Sequence, residues 1–212
     1  MYEIIPGILE QEWSEIEKKL VIIKRFTHTV HIDLLDGKFA PNTTWLDPTP
    51  FAKYSKEFFL ELHMMVEEPI GYVDSWADAG VKRFIGQAEK MHDQEAFVDR
   101  VKKRKAQVGL AVDAQTKPEA IVVPYEKLDF LFAMTVKAGF SHQSFLPDCL
   151  AKVRFFREKT TLPIEVDGGI NDKTIILAKN AGATRFISTG FLFKSDDPAE
   201  KFAALSSCLD RR

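Results

Sequence analysis

Short apolar runs return along the chain at intervals of roughly 20 to 30 residues, each followed by an amphipathic stretch, as repeated strand-helix units require. Eight runs are present: Glu3 to Leu9, Thr29 to Leu34, Phe59 to Met65, Arg83 to Gly86, Gln107 to Ala111, Phe130 to Met134, Pro163 to Val166, and Arg185 to Ser188. They are brief and often apolar at successive positions, which is how strands covered on both faces read. Between them, helices are predicted over Gln11 to Lys19, Pro69 to Ala79, Asp93 to Lys105 and Pro147 to Lys159. Pro69 and Pro147 suit a first helical turn. Asn171-Asp172 offers an N-cap before Ile175, Ile176 and Ala178, and Gly182 stands where that helix should stop.

Eight alternating units without a Pro/Gly/Ser-rich linker or a shift in composition predict a single α/β domain over residues 1–212, an eight-stranded parallel β/α barrel. An open doubly wound sheet is the alternative. The size of the chain, 212 residues, is near the lower limit for such a barrel.

Composition narrows the picture. With 45% apolar residues and 17 Phe the chain can bury a sizeable core, which excludes global disorder. Positive charge (29 Lys and Arg) and negative charge (31 Asp and Glu) are spread along the whole length for a net of −2, which weighs against a nucleic-acid partner. The basic run Val101-Lys102-Lys103-Arg104-Lys105 reads as a solvated helix end, where cations favour the macrodipole. Two cysteines, Cys149 and Cys208, give neither a disulfide framework nor a zinc or redox pair. No window of 18 uninterrupted apolar residues and no leader pattern appears, so a soluble cytoplasmic protein without a membrane partner is expected.

A barrel of this kind carries its chemistry at the C-terminal ends of its strands. His31 and Asp33 stand two apart on the second strand and share a face. His63 closes the third strand, and Asp167 follows Ile164-Glu165-Val166 on the seventh. Taken singly, each reads as a polar residue ending a strand. Together, two imidazoles and two carboxylates form a ligand set for zinc, iron(II) or manganese, and a shared cation would neutralise both acids near an apolar interior. Asp36 lies on the opposite parity from Asp33, so a loop-fixing role fits it better than ligation. His28 and His92 have no partner at a matching spacing.

Turns after the last three strands give a second signal: Gly139-Phe140-Ser141-His142-Gln143, Gly168-Gly169 and Ser188-Thr189-Gly190. Their backbone amides can cradle a phosphate, or the glycines can simply permit tight turns.

The block His31-Ile32-Asp33-Leu34-Leu35-Asp36-Gly37-Lys38-Phe39-Ala40-Pro41-Asn42, with Leu62-His63-Met64-Met65-Val66, Met134-Thr135-Val136-Lys137-Ala138-Gly139-Phe140 and Glu165-Val166-Asp167-Gly168-Gly169-Ile170, resembles the signature blocks of the ribulose-phosphate 3-epimerase family. These blocks appear in family order, and the resemblance extends from Pro6 to about Phe193. It implies the eightfold barrel and a divalent metal, Zn2+ or Fe2+, with Mn2+ and Co2+ as further candidates. The ligands it implies are His31, Asp33, His63 and Asp167. The implied reaction is inversion at C3 of D-ribulose 5-phosphate to D-xylulose 5-phosphate, a pentose phosphate pathway step, through an enediolate. Asp33 and Asp167 would exchange base and acid roles on opposite faces of the substrate. Removing a proton alpha to a carbonyl needs a placed base and stabilisation of the developing oxygen charge, and inversion needs a second acid on the other face. Met65 and Met134 match family methionines on the metal side, with plain packing as the alternative. A homo-oligomer acting on a small sugar phosphate is also implied.

The departures concentrate around substrate binding. Gly7 stands where the family usually has serine after Pro6, Leu35 replaces a common methionine, and Gly86 replaces a histidine near the fourth strand. The phosphate-side pattern Pro-Gly-Phe-Gly-Gly-Gln appears as Ala138-Gly139-Phe140-Ser141-His142-Gln143, and the eighth-strand Gly-Ser as Thr189-Gly190. The substrate-binding set is therefore expected to include Gly7, Met65, Met134, Gly139, Ser141, His142, Gln143, Gly168, Gly169, Thr189 and Gly190. Lys137 and Lys194 lie nearby in sequence and read mainly as solvated lysines. These departures leave two further readings: epimerisation of another ketose phosphate, such as allulose 6-phosphate, or a sugar-phosphate binding protein with weakened catalysis.

Overall fold

The structure is a computed structural model that describes residues 2–141 and 143–210. Eight parallel strands, β1 (Glu3–Ile8), β2 (Thr29–Leu35), β3 (Phe59–Met65), β4 (Arg83–Gln87), β5 (Gln107–Val112), β6 (Phe130–Met134), β7 (Ile164–Asp167) and β8 (Arg185–Ser188), close into a barrel in sequence order. The predicted eight-stranded parallel barrel is the observed fold, and the open sheet is excluded by the pairing of β1 with β8, from Glu3 opposite Arg185 to Pro6 opposite Ser188.

Helices α1 (Trp13–Ile23), α2 (Val73–Asp78), α3 (Gln94–Lys103), α4 (Leu150–Lys159), α5 (Thr174–Ala181), α6 (Gly190–Phe193) and α7 (Pro198–Asp210) surround the strands. Two crossovers differ from the expected strand-helix alternation. Between β2 and β3 there is a 3-10 segment, Thr49–Tyr54, and between β5 and β6 two single 3-10 turns, Pro118–Ala120 and Tyr125–Lys127. Prolines explain this: Pro48 and Pro50 in the first crossover, and Pro118 and Pro124 in the second, remove the donors and the steric room an α-helix needs.

Strand parity separates two apolar layers. Along β6, Phe130, Phe132 and Met134 point into the barrel with Ile5, Leu35, Met65, Ile85 and Ile187. Leu131 and Ala133 point outward into the layer shared with Leu20, Trp76, Phe97, Val153, Phe156 and Leu205. Helix α5 shows both expected boundary signals. Asn171 Oδ1 accepts from the Lys173 and Thr174 amides at 2.9 and 3.1 Å, while Thr174 Oγ1 accepts from the Asn171 amide at 2.9 Å. At its other end Gly182 takes φ +112°, a left-handed cap that satisfies the last carbonyls. Among the described residues no helix is long and apolar enough to cross a membrane.

Candidate metal centre and active site

The register of β2 against β3 places His31 opposite Glu61 and Asp33 opposite His63. All four side chains are buried, on the parity that faces the barrel interior. Thr44 secures the end of β2: its hydroxyl donates to the Asp33 carbonyl and accepts from the Leu35 amide, both at 2.9 Å. Asp36 fixes the following loop, accepting from the Lys38, Phe39 and Glu67 amides, in line with its parity.

Asp33 Oδ1 stands 3.2 Å from His31 Nε2 and 3.0 Å from His63 Nδ1. Asp167 reaches the same point from β7, so that one ligand atom from each of the four residues lies within 4.8 Å of the others. Ligands about 2 Å from a zinc-sized ion lie roughly 3 to 4 Å from one another, so this set of two nitrogen and two oxygen donors fits a divalent cation with small side-chain adjustments. The Phe132 ring forms the floor, with centroids 5.9 Å from His31 and 4.7 Å from His63.

The two carboxylates are held in opposite conditions. Burial pushes the Asp167 carboxyl up to about 7, and the nearby Asp33 charge pushes in the same direction. For Asp33 the burial penalty is outweighed by His31 and His63, which hold its carboxyl well below the usual range. His31 is raised, the cost of burial being exceeded by Asp33 and Glu61, whereas burial dominates at His63 and lowers it. One acid is thus kept ionised beside another that holds a proton readily.

A second polar cluster lies deeper in the barrel and was not foreseen. Glu61 Oε1 is 2.5 Å from His31 Nδ1, and Arg83 Nη1 donates to Glu61 Oε2 at 2.5 Å. Arg83 Nε donates to Gln107 Oε1 at 2.8 Å; Arg185 pairs with Glu3 at 3.2 Å and lies 3.7 Å from Glu165. His31, Glu61 and Glu165 also converge closely enough to hold an ion, but Arg83 already neutralises Glu61. On β4 the inward side chain near the site is Gln87. Gly86 faces outward, a β-carbon there meeting Met91 and Phe97 at 2.5 and 2.9 Å, so the departure read at Gly86 lies on the helix side of the sheet.

A cavity of about 800 Å³ opens above the cluster and is lined by Asp33, Met65, Met134, Gly139, Ser141, Gln143, Asp167, Gly168, Gly169, Thr189 and Gly190. His142 lies outside the described residues. Gly7 is not part of the lining, because a β-carbon there would fall well inside contact distance of Thr189 Oγ1; the threonine occupies its space. The Gly168-Gly169 turn is required as glycine: φ is +117° and +67°, and a β-carbon on Gly169 would meet the Phe145 backbone nitrogen at 2.6 Å. Gln143 is turned back on its own loop, donating to the Lys137 and Phe140 carbonyls at 2.6 and 2.8 Å. Of the two nearby lysines, Lys194 lines the cavity and Lys137 does not.

Comparison with known proteins decides the family. The model of the ribulose-phosphate 3 epimerase family matches residues 3–193. The chain belongs to the ribulose-phosphate 3-epimerase family. It is 36% identical over 210 residues to the ribulose-phosphate 3-epimerase of Schizosaccharomyces pombe, covering 96% of this chain and 92% of that protein. It is 30% identical to the cytoplasmic isoform from Oryza sativa, over 98% of this chain and 94% of the relative. Ribulose-phosphate 3-epimerases are isomerases, and the chain is an enzyme of that class. Among solved structures, a ligand complex of KGPDC from Streptococcus mutans superposes with a TM-score of 0.74 at 11% identity, covering 99% of this chain and 98% of that one, a likeness of fold.

Proposed function

We propose that the protein interconverts D-ribulose 5-phosphate and D-xylulose 5-phosphate by proton transfer at C3 between Asp33 and Asp167. The observation that carries this reading is the pair itself: two carboxyls on different strands, within 4.8 Å in one cavity, one held ionised and the other pushed up to about 7. In the forward direction Asp33 takes the C3 proton from one face and Asp167 delivers its own to the other. Each turnover leaves the pair with its protonation exchanged, the form suited to the reverse reaction. Half-buried Asp167 can then re-equilibrate with solvent through the cavity.

His31, Asp33, His63 and Asp167 would hold a divalent cation, zinc or iron(II) by donor type. When bound, it supplies positive charge against the negative charge that develops on the substrate oxygens. The phosphate is assigned to the wall formed by Gly139, Ser141, Gly168, Gly169, Thr189 and Gly190, on the side of the cavity that includes Lys194. The cavity, about 800 Å³, has room for a sugar phosphate, and the cytosol is the assigned compartment, as the name of the rice cytoplasmic isoform suggests for that relative.

Enzyme reconstituted with zinc or iron(II) in deuterated water is expected to incorporate one deuterium at C3 of ribulose 5-phosphate while forming xylulose 5-phosphate. Exchange with allulose 6-phosphate but not with ribulose 5-phosphate would move the assignment to a ketohexose. Absence of exchange with every ketose phosphate, in protein shown to be folded and loaded, would refute it.

A further inference from the structure

Gln87 at the end of β4 is fully buried, and neither the sequence pattern nor the proposed reaction uses it. Its Nε2 lies 3.0 Å from His63 Nε2, and its Oε1 is buried without a hydrogen-bond partner. The opposite nitrogen of the same ring, Nδ1, is 3.0 Å from Asp33 Oδ1 and faces the four-residue cluster.

An amide nitrogen donates and cannot accept. In this arrangement His63 Nε2 therefore presents its lone pair to Gln87, and the ring hydrogen sits on Nδ1, donated to Asp33. To ligate a cation at the cluster, Nδ1 must offer its own lone pair, and the hydrogen must then stand on Nε2. A buried N–H left without an acceptor loses its hydration with nothing in exchange, which disfavours that tautomer. The unpaired Oε1 is that acceptor after a half-turn of the amide, which exchanges its oxygen and nitrogen in place.

We propose that Gln87 is a positioning residue for His63, its amide turning over between the cation-free and cation-bound states so that the imidazole is satisfied in both. His31 is built differently. Its Nδ1 rests on Glu61, a carboxylate that only accepts and is itself fixed by Arg83 at 2.5 Å. Of the two imidazoles one keeps its Nδ1 hydrogen on the same acceptor in both states and the other is convertible. The proposal rests on the reading of His31, Asp33, His63 and Asp167 as a cation site.

The test uses the full chain stripped of metal, with Zn2+ as the probe. Chelator competition measures affinity for the parent, Gln87→Met and Gln87→Glu, and long-range 1H–15N spectra of the imidazoles report which nitrogen carries the hydrogen. Methionine keeps the length and removes the acceptor, so zinc affinity is expected to fall roughly 10- to 100-fold. Glutamate restores the acceptor and should keep affinity within a few-fold of the parent. In the parent spectra the His63 hydrogen should move from Nδ1 to Nε2 on adding zinc, while His31 keeps its Nδ1 hydrogen in both states. An unchanged affinity in Gln87→Met, or a His63 hydrogen on Nε2 in both states, would overturn the proposal and leave the cation site standing. Failure of the parent itself to bind zinc or iron(II) would overturn the site beneath it. The spectra of the parent decide the matter even where a variant fails to fold.

Discussion

Two ionisable clusters lie one above the other in the barrel, joined through His31. The deeper one is largely neutralised from within: Arg83 and Arg185 face Glu3, Glu61 and Glu165, the guanidinium of Arg83 touches the Glu61 carboxylate directly, and burial beside the Glu61 charge raises the Glu165 carboxyl well above the usual range. In the upper one Asp33 pairs only with the two imidazoles, and Asp167 forms no ion pair among the described residues. Similar chemistry thus meets two different fates at neighbouring depths. Below, Glu3 and Glu61 have their counter-charges built in and tie neighbouring strands together, whereas the upper acids have a neutralising charge still to be supplied, at the place where the cavity opens.

The largest effect expected from this contrast is on catalysis. Asp33→Asn or Asp167→Asn should lower kcat by roughly 10³-fold, since each removes a proton-transfer group; at neutral pH Asp167→Asn should leave the unfolding midpoint unchanged or higher, whereas Asp33→Asn, which replaces the buried carboxylate shared by both imidazoles, should lower it moderately. Steady-state assays with a urea titration of the same preparations check this; a collapse of stability with activity per folded molecule intact would invert the assignment of the two clusters.

Below the site the outcome should reverse. Arg83→Met takes the guanidinium from buried Glu61, leaving Oε2 without its donor while His31 still holds Oε1, and should cost about 3 kcal/mol of stability. Activity per folded molecule should fall far less than in the aspartate variants. Pairing the change with Glu61→Gln should recover part of the stability, because the uncompensated charge is then gone. Urea midpoints at constant m-value measure both.

The subtlest distinction is a pH slope. Asp167 holds its proton more tightly when folded, at about 7, than in an unfolded chain at about 3.8. Its contribution is therefore complete below pH about 4 and is lost as pH rises through 7. Asp33, shifted the other way, contributes above pH about 4 and loses that contribution in strong acid. Metal-free protein should lose stability between pH 4 and 7, by at most about 1.4 kcal/mol per pH unit from this one group. Zinc should flatten the slope by giving the ionised carboxylate a counter-charge. Thermal melts across that range, with and without zinc, test it; an identical slope in both series would count against Asp167 as a ligand.

Much of this was legible in the sequence, and the omissions have a common cause. Strand positions, barrel closure and the convergence of His31, Asp33, His63 and Asp167 follow from apolar periodicity and from parity on β2. The same period-two rule applied backwards from His63 reaches Glu61, and from Asp167 it reaches Glu165, yet a charged residue inside a short apolar run reads as a strand boundary. Which arginines would meet these acids depends on inter-strand register, Glu61 beside Arg83 and Glu165 beside Arg185, and one chain read alone does not disclose register. Gln87 was missed because the reading at the fourth strand stopped at Gly86, whose position lies on the opposite face of the sheet. The missing α-helices at two crossovers were announced by their prolines, but amphipathic spacing masked the signal.

Gly7 and Thr189 interlock at one corner of the site. With the threonine hydroxyl standing where a β-carbon at position 7 would fall, a side chain at 7 requires Thr189 to turn its hydroxyl aside or to be smaller. Serine at 7 is thus compatible with a smaller residue at 189, or with Thr189 in another side-chain rotamer, and the present rotamer is compatible with glycine at 7. The two positions are therefore coupled through one side chain, and exchanging either residue between relatives reports on the pair rather than on that residue by itself.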